Sequence, residues 1–188
     1  MSQGVMVFSR LVLKVIAPLA IISVLVMAPA LVVGNWMPEG EKIAYMSADI
    51  SAGFYNWDIY LLDVDRRLSQ QVTDGTQYER YPSWSPDGRY MVYHSNQRGS
   101  YDLYIYDTEN EETQSLMPSV GSQAYNEAMP QWSPDGELIA YHSNETGTYN
   151  LYLTDAEGSF SAQVSFNNRD TGNAIRLSWS PDGKRVVY

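Results

Sequence analysis

His94 and His142 are the only histidines in the 188-residue chain, and there is no cysteine to join them. Acid–base or metal chemistry would need an imidazole converging with carboxylates or further ligands on one spot. Both histidines instead recur 48 residues apart in the same tetrapeptide, "YHSN", with Met46 in the corresponding place one unit earlier. That placement predicts an architectural part of a repeat, with no metal and no cofactor. A serine nucleophile elbow, G-x-S-x-G, is absent, since "GSFS" at Gly158–Ser161 lacks the closing glycine. No HExxH, P-loop, EF-hand loop or GxGxxG occurs. Asn144-Glu145-Thr146 fits a glycosylation acceptor but is read as a chance match. The sequence predicts a non-enzymatic protein.

Charge narrows the partners. The chain has 12 basic and 22 acidic residues, net −10. Arg10 and Lys14 are the only charged residues before position 36, so the rest carries 10 basic against 22 acidic, or −12. Such a body repels phosphate backbones, which argues against nucleic acid.

The segment "LVLKVIAPLAIISVLVMAPALVVG" (11–34) is long and apolar enough to cross a bilayer as a helix. Residues 1–34 are therefore expected to form a signal-anchor or transmembrane helix. Basic residues only on its amino-terminal side place the amino terminus in the cytoplasm and the remainder outside. A cleaved signal ending near "APA" (Ala28–Ala30) is the alternative, with secretion as its outcome.

The elements that position everything else are repeats. Trp84, Trp132 and Trp179 stand 48 and 47 residues apart, and the first two open the near-identical stretches "WSPDGRYMVYHSN" and "WSPDGELIAYHSN". Trp36 opens a worn copy, "WMPEGEKIAYMS". A second block recurs as "WDIYLLDVD", "YDLYIYDTE" and "YNLYLTDAE". Both blocks are aromatic and β-branched and read as strands. The SPDG connector reads as a tight turn: proline presets φ, Asp87, Asp135 and Asp182 suit the third position, and Gly88, Gly136 and Gly183 accept a left-handed conformation. Four short antiparallel strands per unit predict an all-β chain of β-propeller blades, near 36–80, 81–128 and 129–175, with a partial unit at 176–188. Stacked blades must bury the recurring tryptophans and the Tyr45, Tyr93, Tyr141 and Tyr188 series.

WSPDG followed by an "iaY-S" strand and "D-Y--D" resembles the TolB-type propeller repeat, also found in prolyl-oligopeptidase and dipeptidyl-peptidase-like propellers. The resemblance covers residues 36–188 and implies an extracytoplasmic protein that binds envelope or other extracellular proteins. The chain departs from that family in lacking a preceding α/β domain and in its few blades. Propellers close with about 4–8 blades, so an incomplete propeller is expected. It would be the front part of a longer protein, such as a prolyl-oligopeptidase-like serine peptidase, or would self-associate through unpaired blade edges. Two loop sets are expected on one rim: 47–57, 95–101 and 143–149, and 74–82, 118–130 and 166–176. Their Tyr, Asn, Arg and Gly content suits protein recognition, with Phe54, Tyr55, Trp57, Arg98 and Tyr125 as anchors.

Overall fold

The computed structural model describes residues 6–7, 33–36, 42–49, 56–116, 125–166 and 176–188, and every regular element in them is a strand. The first sheet runs in the order β1 (Met6–Val7), β2 (Val33–Trp36), β3 (Lys42–Asp49), β4 (Asn56–Asp63) and β5 (Leu68–Gln71). The second contains β6 (Glu79–Trp84), β7 (Tyr90–Ser95), β8 (Asp102–Asp107) and β9 (Glu112–Ser115). The third contains β10 (Glu127–Trp132), β11 (Ile139–Ser143), β12 (Asn150–Thr154) and β13 (Ala162–Gln163). β14 (Ser178–Trp179) and β15 (Val186–Val187) pair as a further two-stranded sheet. All pairings within sheets are antiparallel meanders, as the repeat predicts.

Of the predicted amino-terminal helix at 1–34, residues 1–5 and 8–32 lie outside the described residues, and Met6–Val7 form β1. The last two residues of that span, Val33 and Gly34, belong to β2, where Gly34 lies opposite both Met6 and Tyr45. This is the strand that leads into a repeat tryptophan in every blade, and the ladder to β3 claims its backbone groups. No helix among the described residues is long and apolar enough to cross a membrane.

The tryptophans do what stacked sheets require. Trp84 is 4% exposed and packs among Ala44, Ile59 and Leu61 of the first blade and Met91, Tyr93 and Tyr104 of its own. Trp132 repeats this against Val92, Leu103 and Ile105 of the second blade and Ile139, Tyr141 and Tyr152 of the third. Trp179 is half-buried beside Ala140, Leu151 and Val186, and its indole N–H donates to the Gln131 carbonyl (3.1 Å). Burying an indole of this size contributes roughly 4–6 kcal/mol of transfer free energy as an upper bound. The middle strands β7 and β8 are buried almost throughout because each has a blade on both sides, while the trailing β5 and β9 are mostly exposed. Tyrosines directly opposite across β3–β4, β7–β8 and β11–β12 pack ring to ring at 5.4, 5.8 and 5.7 Å.

The SPDG turns share one bonding scheme. Ser85 Oγ donates to Asp87 (2.5 Å) and accepts the Tyr90 N–H (2.9 Å), while the Asp87 carboxylate accepts the Arg89 N–H (3.1 Å). Ser133–Asp135 and Ser180–Asp182 repeat it. These bonds hold the Asp135 and Asp182 carboxyls below the usual range. The turn glycines have φ of 76°, 80° and 69°. Successive turns also stack: a Cβ on Gly136 would lie 3.4 Å from Pro86, and one on Gly183 would lie 3.1 Å from the Asp135 carboxylate.

Candidate functional site: the loop rim

The leading strands β6 and β10 each carry a proline, Pro82 and Pro130, which no regular ladder accommodates. The strands answer with a register shift between Arg80 and Ser83 and between Ala128 and Gln131. The residue before each proline takes positive φ, 55° at Tyr81 and 54° at Met129. The bulge frees that residue's N–H from the ladder and aims it at the preceding blade. There Met46 Sδ accepts Tyr81 N–H (3.0 Å), and His94 Nδ1 accepts Met129 N–H (3.1 Å).

This gives the repeat histidine a definite task. With Nδ1 accepting, the neutral ring carries its proton on Nε2. Burial, aided by the Arg80 charge, pushes the His94 pKa down to about 3. Tyr81 and Tyr101 flank the ring at 5.2 and 4.7 Å. Among the described residues no group of three or more His, Asp or Glu side chains is placed to hold a metal ion.

At the same end of the blades the two predicted loop sets meet. The Asn96 side-chain carbonyl accepts the Tyr78 N–H (2.8 Å), and Asn144 accepts the Asn126 N–H (2.6 Å). Each asparagine thus pins the loop after the second strand to the loop entering the same blade. Asn126 Oδ1 in turn accepts the Tyr101 N–H (3.1 Å), and the Glu127 N–H donates to the Tyr101 carbonyl (2.7 Å), tying blade two to blade three. Trp57 and Tyr78 form the corresponding backbone bridge between blades one and two. The asparagine pins are links between loops that the sequence does not predict, although the repeated "SN" after each histidine carries the signal.

The predicted anchors fall out unevenly. Phe54 and Tyr55 lie outside the described residues. Trp57 is half-buried beneath the Arg80 guanidinium, which sits 5.3 Å from the Trp57 ring and 5.2 Å from the Tyr78 ring. Arg98 is exposed in the β7–β8 loop, and Tyr125 is half-buried just before β10. The structural series Trp84, Trp132 and Trp179, with the turn residues 87–88, 135–136 and 182–183, stands at the opposite end and in the core; Trp36 lies in β2 opposite Ile43.

Beneath the rim sits a feature the sequence did not announce: buried carboxyls at each junction. Asp58 and Glu79 are both 4% exposed, and Asp102 and Glu127 are 1% and 3% exposed. Glu79 accepts the Ser95 hydroxyl (2.7 Å) and Glu127 accepts the Leu103 N–H (3.4 Å). Burial and the Asp102 charge push the Glu127 pKa up to about 8; burial and the Asp58 and Asp74 charges raise that of Glu79.

Comparison with known proteins agrees with this architecture. Residues 20–188 match the model of the TolB beta propeller domain. Dipeptidyl-peptidase 5 of Porphyromonas gingivalis is 32% identical over 73 residues, 36% of this chain and 11% of that protein. The Tol-Pal system protein TolB of Xanthomonas campestris pv. campestris is 32% identical over 66 residues, 35% of this chain and 15% of that protein. The chain thus matches only a small part of these relatives' length. The crystal structure of TolB from Acinetobacter baumannii superimposes with a TM-score of 0.65 at 24% identity, covering 81% of this chain and 36% of that one. The repeat, the blade packing and the matched span together assign the chain to the TolB β-propeller domain family.

Proposed function

We propose that the chain is a non-enzymatic protein-binding scaffold, tethered to the cell membrane through residues 11–34 with the propeller outside, where it binds an envelope or extracellular protein. The observation that supports this most is the rim. Two loop sets of differing sequence are pinned to each other by Asn96 and Asn144 at one end of a stack of rigid sheets. Function concentrates on loops held by such scaffolds. Arg98 stands exposed there, with Tyr125 beside the next blade's entry. In a body of net charge −12 beyond residue 35, an exposed arginine on the rim suits a contact with a partner.

The test is capture from an envelope extract by the full chain and by its R98A/Y125A variant. A partner retained at least tenfold less by the variant supports the scaffold; equal retention overturns it.

The similarity to dipeptidyl-peptidase 5 favours a second reading, the propeller portion of a serine peptidase. A G-x-S-x-G motif encoded further along the same reading frame would select it.

A further inference from the structure

Between blades one and two, just under the rim, a cleft of about 200 Å³ is lined by Val72, Asp74, Glu79, Tyr93, Ser95 and Gln97, among others. Among the described residues no lysine or arginine lines it. Glu79 occupies its buried end. One carboxylate oxygen accepts the Ser95 hydroxyl (2.7 Å), and the other, Oε2, is buried with no partner. The Thr73 hydroxyl lies within reach of both Asp58 (3.4 Å) and Glu79, and its single proton cannot satisfy the two carboxyls at once. Asp58 and Asp74 both act on Glu79 electrostatically, while the Arg80 guanidinium at this junction sits over the Trp57 and Tyr78 rings. A buried acceptor left unsatisfied is costly, and native proteins rarely leave one without a use.

We propose that this cleft is a subsite for a lysine side chain supplied by the partner protein. The ammonium would donate to Glu79 Oε2, and Asp58 and Asp74 would add long-range attraction. Val72 and Tyr93 give the aliphatic stem apolar surface. A metal ion is the poorer fit, because no set of three or more protein ligands is placed to hold one among the described residues. The corresponding glutamate of the next blade, Glu127, has its Oε2 bonded to the Leu103 amide, so the subsite is particular to the first junction. The proposal rests on the rim reading and names the chemistry of one contact within it.

Its test uses small probes, so it can fail while the partner-capture experiment succeeds, and the reverse. The ¹⁵N-labelled full chain is titrated with Nα-acetyl-lysine methylamide, its Nε-acetylated neutral form, glycinamide and calcium chloride. The lysine probe should shift the amides of Thr73, Gly75 and Ser95 saturably. The neutral form should bind at least tenfold more weakly, as should glycinamide, which lacks the stem. E79Q should weaken lysine binding about tenfold or more. D74N, at an exposed position, should weaken it two- to fivefold. No saturable shift, binding indifferent to both substitutions, glycinamide binding as well as lysine, or calcium competing for the same amides would each overturn the assignment.

Discussion

The junctions between blades one and two and between blades two and three are built on one plan with different parts. Both place a tryptophan between sheets, Trp84 or Trp132, in nearly the same shell of aliphatic and tyrosine side chains. Both bulge the leading strand and hand a backbone N–H to the preceding blade. The first junction takes it on a thioether, the second on an imidazole. Both bury a carboxyl pair, yet only in the second does the glutamate bond a backbone amide through Oε2. What is common concerns holding two sheets together. What differs sits just beneath the loops, where charge and acceptor chemistry can vary without disturbing the packing.

The sharpest way to test the common part is to remove it. Trp132→Ala and Trp84→Ala should each destabilise the protein by about 3–5 kcal/mol, and Trp179→Ala by clearly less, since Trp179 is only half-buried. Urea unfolding followed by far-ultraviolet circular dichroism reads this order. Equal losses at all three positions would mean the last junction is as tightly sealed as the others.

The carboxyl and the imidazole of the second junction should be visible in opposite halves of a pH profile. Glu127 titrates near 4.5 when unfolded and about 8 when folded, so the folded protein holds the extra proton and stability falls as pH rises between these values. His94 is ordinarily near 6.5 and is about 3 when folded, so the unfolded chain holds the extra proton and stability falls as pH drops through that window. From these two groups together, stability is highest at roughly pH 4.5–6.5 and declines on both sides. Glu127→Gln should abolish the alkaline decline, gaining on the order of a few kcal/mol at pH 9. Denaturation midpoints of both proteins from pH 4 to 9 check this. A parallel offset without a change in slope would remove Glu127 from the account.

The acceptor difference gives a smaller effect. His94→Leu orphans the Met129 amide and should cost about 1–3 kcal/mol, whereas Met46→Leu, which removes a weaker sulfur acceptor, should cost less than about 1 kcal/mol. Hydrogen exchange at the Met129 and Tyr81 amides should accelerate in the matching variant alone. Equal acceleration of both amides in either variant would make the two bonds incidental to the junctions.

These contrasts also show where sequence is legible. The turns are local: Ser, Pro, Asp and Gly each have a preferred conformation and bond within five residues, so their pattern announces itself. Tryptophans at constant spacing announce stacking because no single blade can bury both its faces. The histidines read as architecture, but the task of His94 within it is not legible. "YHSN" reads as repetition, but the physical requirement at positions 46 and 94 is a lone pair facing the next blade, which both sulfur and nitrogen provide. Glu79 and Glu127 look like solvated loop residues because nothing nearby in the chain signals that a neighbouring blade will cover them. The left-handed Tyr81 and Met129 are hidden for the same reason: bulky residues adopt that conformation only when long-range contacts hold it. Arg80 over Trp57 belongs here too, being a contact across a junction that joins residues 23 positions apart.

Four bonds from the leading strands run the same way, whereas the bond from Leu103 to Glu127 runs the other. Tyr81, Met129, Trp132 and Trp179 donate, and Met46, His94, Ser83 and Gln131 in the blade before accept. On a ribosome the blade that supplies these four acceptors is made first. Each newly emerging blade meets a finished template rather than a partner still inside the exit tunnel, so assembly can proceed by accretion from the amino-terminal side without waiting for the chain to be complete.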